Sequence, residues 1–165
     1  MLTLGIDPGT ALLGYGLVSG SDELTMIEYG AIETQPSDEA ARRLEIIYDA
    51  LLDIIAEYEP DVVALEQLFF ARNTTTALAV GQARGVAMLA AAKADLQIYE
   101  YKPAEVKLAI AGHGGADKRQ IQEMVRTILG LSELPSPDDA ADALAVAICH
   151  AFSAAFRAAT AEASS

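Results

Sequence analysis

Two short apolar runs, Val62-Val63-Ala64-Leu65 and Leu96 to Tyr101, are separated by a stretch with room for one long helix. A helical connection of that kind is a crossover, and crossovers join parallel strands. Val62 to Leu65 has no polar side chain, as expected of a strand covered on both faces. Asn73 is placed to cap the crossover helix, which runs to about Lys93. This one feature fixes the chain as α/β with a partly parallel sheet.

The N-terminal third adds a different signal. Leu2 to Ile6 is apolar and stops at Asp7-Pro8-Gly9-Thr10, a turn sequence. Tyr15-Gly16-Leu17-Val18 and Leu24 to Ile32 are further extended runs, with Ser19 to Glu23 between them and Gly30 a candidate bulge. Short links between three such runs predict an antiparallel meander. Pro36-Ser37-Asp38-Glu39 then opens a helix. Leu44, Ile47, Tyr48, Leu51, Ile54, Ile55 and Tyr58 follow helical spacing until Glu59-Pro60-Asp61 stops it. Beyond Tyr101, helices are predicted from Pro103 through Ile110, from Asp117 through Leu129, and from Ser136-Pro137 past Phe156. The whole reads as a mixed five-stranded sheet, three antiparallel strands and then parallel ones, flanked by helices. Residues 1–157 are expected to form a single domain and 158–165 a frayed tail.

The 52% hydrophobic content excludes a disordered chain, and one cysteine excludes an internal disulfide. The longest charge-free apolar run, Ala143 to Phe156, is shorter than the roughly 20 residues of a membrane span. The N-terminus has no basic segment ahead of its apolar run, so no signal peptide is expected and a cytoplasmic location is. Net charge is −13, which by itself argues against a polyanionic partner. The charge is uneven, however. Residues 1–60 hold 2 basic and 12 acidic side chains, whereas residues 67–126 hold 8 basic and 5 acidic.

Four acids stand where solvated acids seldom do. Asp7 ends the apolar first strand and Glu66 ends the apolar fourth. Asp139 and Asp142 lie three apart on the last helix and so share a face. If the two strands are neighbours and the last helix packs across the sheet, these carboxylates gather. Each close pair would cost roughly 4 kcal/mol at about 4 Å and an effective dielectric of 20. Protonation or a cation must then relieve the repulsion. An all-carboxylate set suits Mg²⁺ or Mn²⁺, and a pair of such ions suits phosphodiester hydrolysis. The plainer readings stand beside this one. Asp7 is also a turn residue, Glu66 a strand-end surface acid, and Asp139 a good helix-start residue at the capping-box position. Asp142 is harder to place so, because Ala140, Ala141, Ala143, Leu144 and Ala145 surround it.

The segments Gly5-Ile6-Asp7-Pro8-Gly9-Thr10 with Gly14-Tyr15-Gly16, Glu66-Gln67-Leu68-Phe69-Phe70-Ala71-Arg72-Asn73, Gly81-Gln82-Ala83-Arg84-Gly85-Val86-Ala87, and Asp139-Ala140-Ala141-Asp142-Ala143-Leu144-Ala145 occur in that order. Together they resemble RuvC, the bacterial Holliday-junction resolvase family, over nearly the whole chain. The resemblance implies an RNase H-like fold. It implies a homodimer that makes symmetric, metal-dependent nicks in a four-way DNA junction, leaving 5′-phosphate and 3′-hydroxyl ends, in recombination and repair. It further implies work beside the RuvA–RuvB branch-migration complex. By position it makes Asp7, Glu66, Asp139 and Asp142 the metal ligands, holding Mg²⁺ or Mn²⁺, two ions per site. Phe69 matches the aromatic at the junction centre, where stacking on a base is worth about 1–3 kcal/mol; core packing is the alternative. Lys107, Lys118 and Arg119 match basic positions near DNA, with Arg72 a weaker candidate. Lys118 is also expected to neutralise phosphate charge in the transition state. Gly81 and Gly85 would let a second helix approach in the dimer, or let this helix pack on its own sheet. Asp138 stands beside Asp139 and leaves open which of the two ligates, though the spacing to Asp142 favours Asp139.

Three rivals differ by testable features. Asp7-Pro8-Gly9-Thr10 also resembles the phosphate hairpin of actin-like ATPases, which need a second domain and a second phosphate loop. A non-catalytic junction binder would be expected to lack an acid. A nuclease for RNA–DNA hybrids would have no use for Phe69 or the small-residue helix.

Overall fold

A computed structural model describes residues 1–67 and 74–162. Strands β1 (Leu2–Asp7), β2 (Leu12–Gly20) and β3 (Leu24–Glu33) form the antiparallel meander. Helix α1 (Ala40–Tyr58) leads to β4 (Val62–Glu66), which lies parallel to β1. Helix α2 (Thr74–Lys93) crosses over to β5 (Gln97–Tyr101), parallel to β4. The sheet order is β3-β2-β1-β4-β5. Helices α3 (Pro103–Ala111), α4 (Lys118–Ile128) and α5 (Asp138–Glu162) complete the chain. The predicted mixed five-stranded α/β architecture is the one observed. The proposed cap at Asn73 falls outside the described residues.

Two cores follow from strand alternation. Leu4, Ile6, Val63 and Leu65 point to one face, under Ile47, Leu51 and Ile55 of α1 and Ala83, Ala87, Ala90 and Ala91 of α2. On the other face α5, flanked by α3 and α4, packs Leu144, Ala145 and Ile148 into the second core. Glu59 adopts a left-handed φ of 47° and Pro60 follows, so α1 cannot continue. The Asp117 side chain accepts from the backbone N–H of Gln120 at 2.9 Å and starts α4.

Three glycines bring α5 onto the sheet. A Cβ on Gly5 would lie 2.1 Å from the Ala143 carbonyl oxygen. One on Gly14 would lie 2.0 Å from the carbonyl oxygen of Asp139, and one on Gly16 2.7 Å from Leu144. Backbone thus replaces side chain at the helix–sheet contact, which fixes where the first turn of α5 sits. Gly5→Ala is expected to destabilise the protein by about 3 kcal/mol or more, since neither backbone can move aside. Chemical denaturation measures this; a loss below about 1 kcal/mol would show that α5 can lift off the sheet.

Two details differ from the sequence reading. The bulge lies between Leu17 and Val18 rather than at Gly30. Gly30 pairs in register with Tyr15, and a Cβ there would sit 2.8 Å from the Tyr15 hydroxyl, so the glycine makes room for the ring. Helix α5 runs through Glu162, where alanine-rich sequence favours helix. By length and composition Asp138–Ala161 is apolar enough to cross a membrane, but half of its most apolar window is buried in the fold. It is the central core helix.

The His150 ring is buried, with Nδ1 2.7 Å from the Tyr101 hydroxyl and its centroid 4.4 Å from that of Tyr99. Burial, aided by Arg157, pushes it down to about 4, so it is a neutral core histidine. Cys149 is a buried thiol, pushed up to about 11 by burial.

Candidate active site

Parallel pairing of Ile6 with Leu65 puts Asp7 and Glu66 next on adjacent strands, at the same carboxyl edge of the sheet. Ile6 and Leu65 both enter the core under α1 and α2, so the following pair faces α5. Asp7 is also the register partner of Gly14, against whose Cα the Asp139 backbone rests. The close approach of α5 therefore delivers Asp139 and Asp142 to the strand ends that carry Asp7 and Glu66.

The electrostatics report the gathering. Asp7 is raised from 3.8 to about 7, first by burial and then by Asp142, Glu66 and Asp139. Glu66 is raised by burial and Asp142, with Lys107 opposing. Burial also raises Asp142, against the pull of Lys118. Asp138 behaves differently: it is exposed, and hydrogen bonds from Gln122 and Lys118 hold it below the usual carboxylate range. Asp139, not Asp138, contributes to the field on Asp7.

The four side chains share one field without closing on one point. Among the described residues, no three acidic, histidine or cysteine side chains stand together as a metal-holding group. Lys118 pairs with both Asp142 and Asp138. Its Nζ lies 3.2 Å from Oδ2 of Asp142 and 3.2 Å from Oδ2 of Asp138. The donor chemistry still fits a hard divalent cation. The donors are all oxygen, burial penalises the ionised forms of Asp7, Glu66 and Asp142, and Lys118 is the cation that contacts one of the four.

Glu66, Lys107, Lys118, Ile121, Asp142 and Val146 line a cleft of about 220 Å³ beside this cluster. Lys107 and Lys118, which the resemblance puts near DNA, both line this cleft. Burial pulls the Lys118 ammonium down, but Asp142 and Asp138 outweigh it and raise it overall. Arg119 is exposed and lies along its own helix, 3.5 Å from Glu123, outside the cleft lining. Gly85 is exposed with open space where a Cβ would be, so it does not pack on the sheet; Gly81 is half-buried. Phe69 and Arg72 fall outside the described residues. The sequence reading missed Gln122, whose Nε2 donates to Oδ1 of Asp138 at 2.8 Å. Its one signal was its place four residues after Lys118, on the same helix face.

The chain matches the family model "Crossover junction endodeoxyribonuclease RuvC" over residues 3–150. It is 56% identical over 154 residues to the protein of that name from Heliobacterium modesticaldum, covering 93% of this chain and 95% of the relative. A relative from Chloroflexus aggregans is also 56% identical, over 155 residues, covering 93% and 94%. The structure of Thermus thermophilus RuvC in complex with Holliday junction substrate superposes with a TM-score of 0.90 at 40% identity, covering 94% of this chain and 96% of that one. The mixed sheet, its flanking helices and these matches agree, and the chain belongs to the RuvC family of crossover junction endodeoxyribonucleases, with its RNase H-like fold.

Proposed function

We propose that this enzyme resolves four-way DNA junctions by hydrolysing phosphodiester bonds at the cluster of Asp7, Glu66, Asp139 and Asp142. One observation supports the reading: Asp142, Glu66 and Asp139, from two further elements, all act on Asp7 at the carboxyl edge of the sheet and, after burial, raise it to about 7. Members of the family are metal-dependent nucleases. The same four acids would hold Mg²⁺ or Mn²⁺, two ions per site. Such ions supply a lowered pKa for the attacking water and charge neutralisation at the leaving 3′ oxygen.

The chain's own residues do the rest. Lys118 and Lys107 face the cleft with cationic heads and attract the phosphate; Lys118 also offsets charge that develops on it in the transition state. Arg119 serves the flanking DNA, since its guanidinium lies outside the cleft. Phe69 and Arg72 follow Glu66 by three and six residues, and we assign them to the junction centre and its backbone.

A junction with two opposed strands to cut calls for two sites. Helix α2 buries Ala83, Ala87, Ala90 and Ala91 on the sheet and exposes Leu78, Gly85 and Leu89. A helix apolar on both sides needs a second cover, and Gly81 and Gly85 allow close approach. A second copy of the chain supplies that cover and makes the homodimer. Residues 1–157 act as one nuclease domain in the cytoplasm, alongside the RuvA–RuvB branch-migration complex.

The test offers four-way junction, linear duplex and RNA–DNA hybrid side by side, with Mg²⁺ or Mn²⁺. Paired, symmetric nicks on the junction alone, with 5′-phosphate and 3′-hydroxyl ends, are expected. Equal or faster cutting of the hybrid would move the chain to a different substrate class.

A further inference from the structure

Lys118 is the first residue of α4, directly after its Asp117 cap. A cation there meets the positive end of the helix dipole, so the helix itself repels the ammonium that the cleft needs. Asp142 holds it, at 3.2 Å. Yet Asp142 is one of the acids assigned to a divalent cation, and a cation there would repel the ammonium as well. Something else must keep Lys118 at the cleft.

Asp138 is built for that task. It is the first residue of α5, directly before Asp139. Its two oxygens have separate donors, both from one face of α4: Lys118 Nζ at 3.2 Å from Oδ2, and Gln122 Nε2 at 2.8 Å from Oδ1. Gln122 fixes the rotation of the carboxylate and leaves the second oxygen for the ammonium. Asp138 is more exposed than Asp142, its side chain being 64% accessible against 34%, and it is absent from the cleft lining. It therefore keeps its charge for Lys118 when Asp142 is engaged.

We propose that Asp138, oriented by Gln122, is a positioning residue that retains the Lys118 ammonium at the cleft mouth when Asp142 is engaged by a cation. The proposal rests on the reading of the acid cluster as the cutting site, and its test separates the two.

The first readout needs no DNA. Acetic anhydride labelling followed by peptide mass spectrometry gives the acylation rate of Lys118, with exposed Lys93 as internal reference. Asp142→Asn mimics the loss of that partner and is expected to leave Lys118 slow. Combining it with Asp138→Asn is expected to speed labelling by about two- to five-fold, the range that loss of exposed ion pairs gives. Asp138→Asn alone should react slowly without metal and quickly with Mg²⁺. Gln122→Ala should shift in the same direction by less. Equal labelling of Asp142→Asn and the double variant would overturn the proposal. If the double variant responds but Mg²⁺ leaves Asp138→Asn unchanged, retention stands and the metal reading of Asp142 fails.

The second readout is cleavage. In single-turnover assays Asp138→Asn should cut the junction about three- to ten-fold more slowly at saturating Mg²⁺, with junction affinity unchanged. In a Lys118→Ala background it should have no further effect. A full additional loss in that background would show that Asp138 acts without Lys118, and would overturn the proposal.

Discussion

Asp7→Asn is expected to abolish cutting while leaving the junction bound. Asp7 is the acid on which the others converge, since Asp142, Glu66 and Asp139 all act on it. The amide keeps the shape and one acceptor oxygen but removes the charge that would hold a cation. Loss of several kcal/mol of transition-state stabilisation lowers the single-turnover rate by at least about a thousand-fold. Affinity should stay the same or tighten slightly, because the change removes a negative charge near a polyanion. Gel-shift and single-turnover measurements on one four-way junction separate the two effects. Parallel loss of binding and cutting would indicate a damaged fold and remove the support for Asp7 as a ligand.

The same substitution is expected to stabilise the metal-free protein, increasingly so as pH rises. Asp7 has a folded pKa of about 7 against an ordinary 3.8, so the folded state binds its proton more tightly than the unfolded chain does. Stability from this group is thus fully present below pH 3.8, falls as pH rises, and is lost above about 7. The excursion is of order 4 kcal/mol. Glu66 and Asp142, also raised, add in the same direction. Asparagine has no such proton to lose. Its Tm should exceed the parent's by about 10 °C at pH 8 in chelator, with the gap closing toward pH 4. Parallel Tm curves across this range would mean that Asp7 is not held in a repulsive, desolvated place.

Much of this is legible in the sequence, and the reasons are local. Turn residues at Pro8-Gly9 and Ser19 to Glu23 delimited the meander, and helical spacing from Leu44 to Tyr58 defined α1. Asp7 and Glu66 are conspicuous because each ends an apolar run, and the crossover helix α2 marks the Glu66 strand as parallel to β5; that β1 and β4 are neighbours is seen only in their pairing. What the sequence withheld is tertiary. Nothing local in Gly5, Gly14 and Gly16 shows that they set the close approach of α5 and so the position of Asp139. Asp138 read as a rival ligand, because nothing local reveals that α4 presents Lys118 and Gln122 to it. Whether Gly85 faced the sheet or solvent depended on the rotation of α2, which its near-uniform apolar surface does not encode.

The charge conflict also has a spatial form. Helix α1, with exposed Glu45, Asp49, Asp53 and Glu57, covers the face of the sheet opposite α5. Lys107 and Lys118 stand at the cleft on the α5 side. A chain of net charge −13 can then meet DNA through one edge while its acidic face points elsewhere, and that asymmetry would help orient the encounter.

Mn²⁺ binding followed by electron paramagnetic resonance asks directly whether these acids hold a cation together. The parent protein should bind Mn²⁺ in competition with Mg²⁺, and Asp7→Asn, Glu66→Gln and Asp142→Asn should each weaken binding by about ten-fold or more, from the loss of one charged oxygen ligand. Mn²⁺ affinity unchanged by all three substitutions would contradict the shared site.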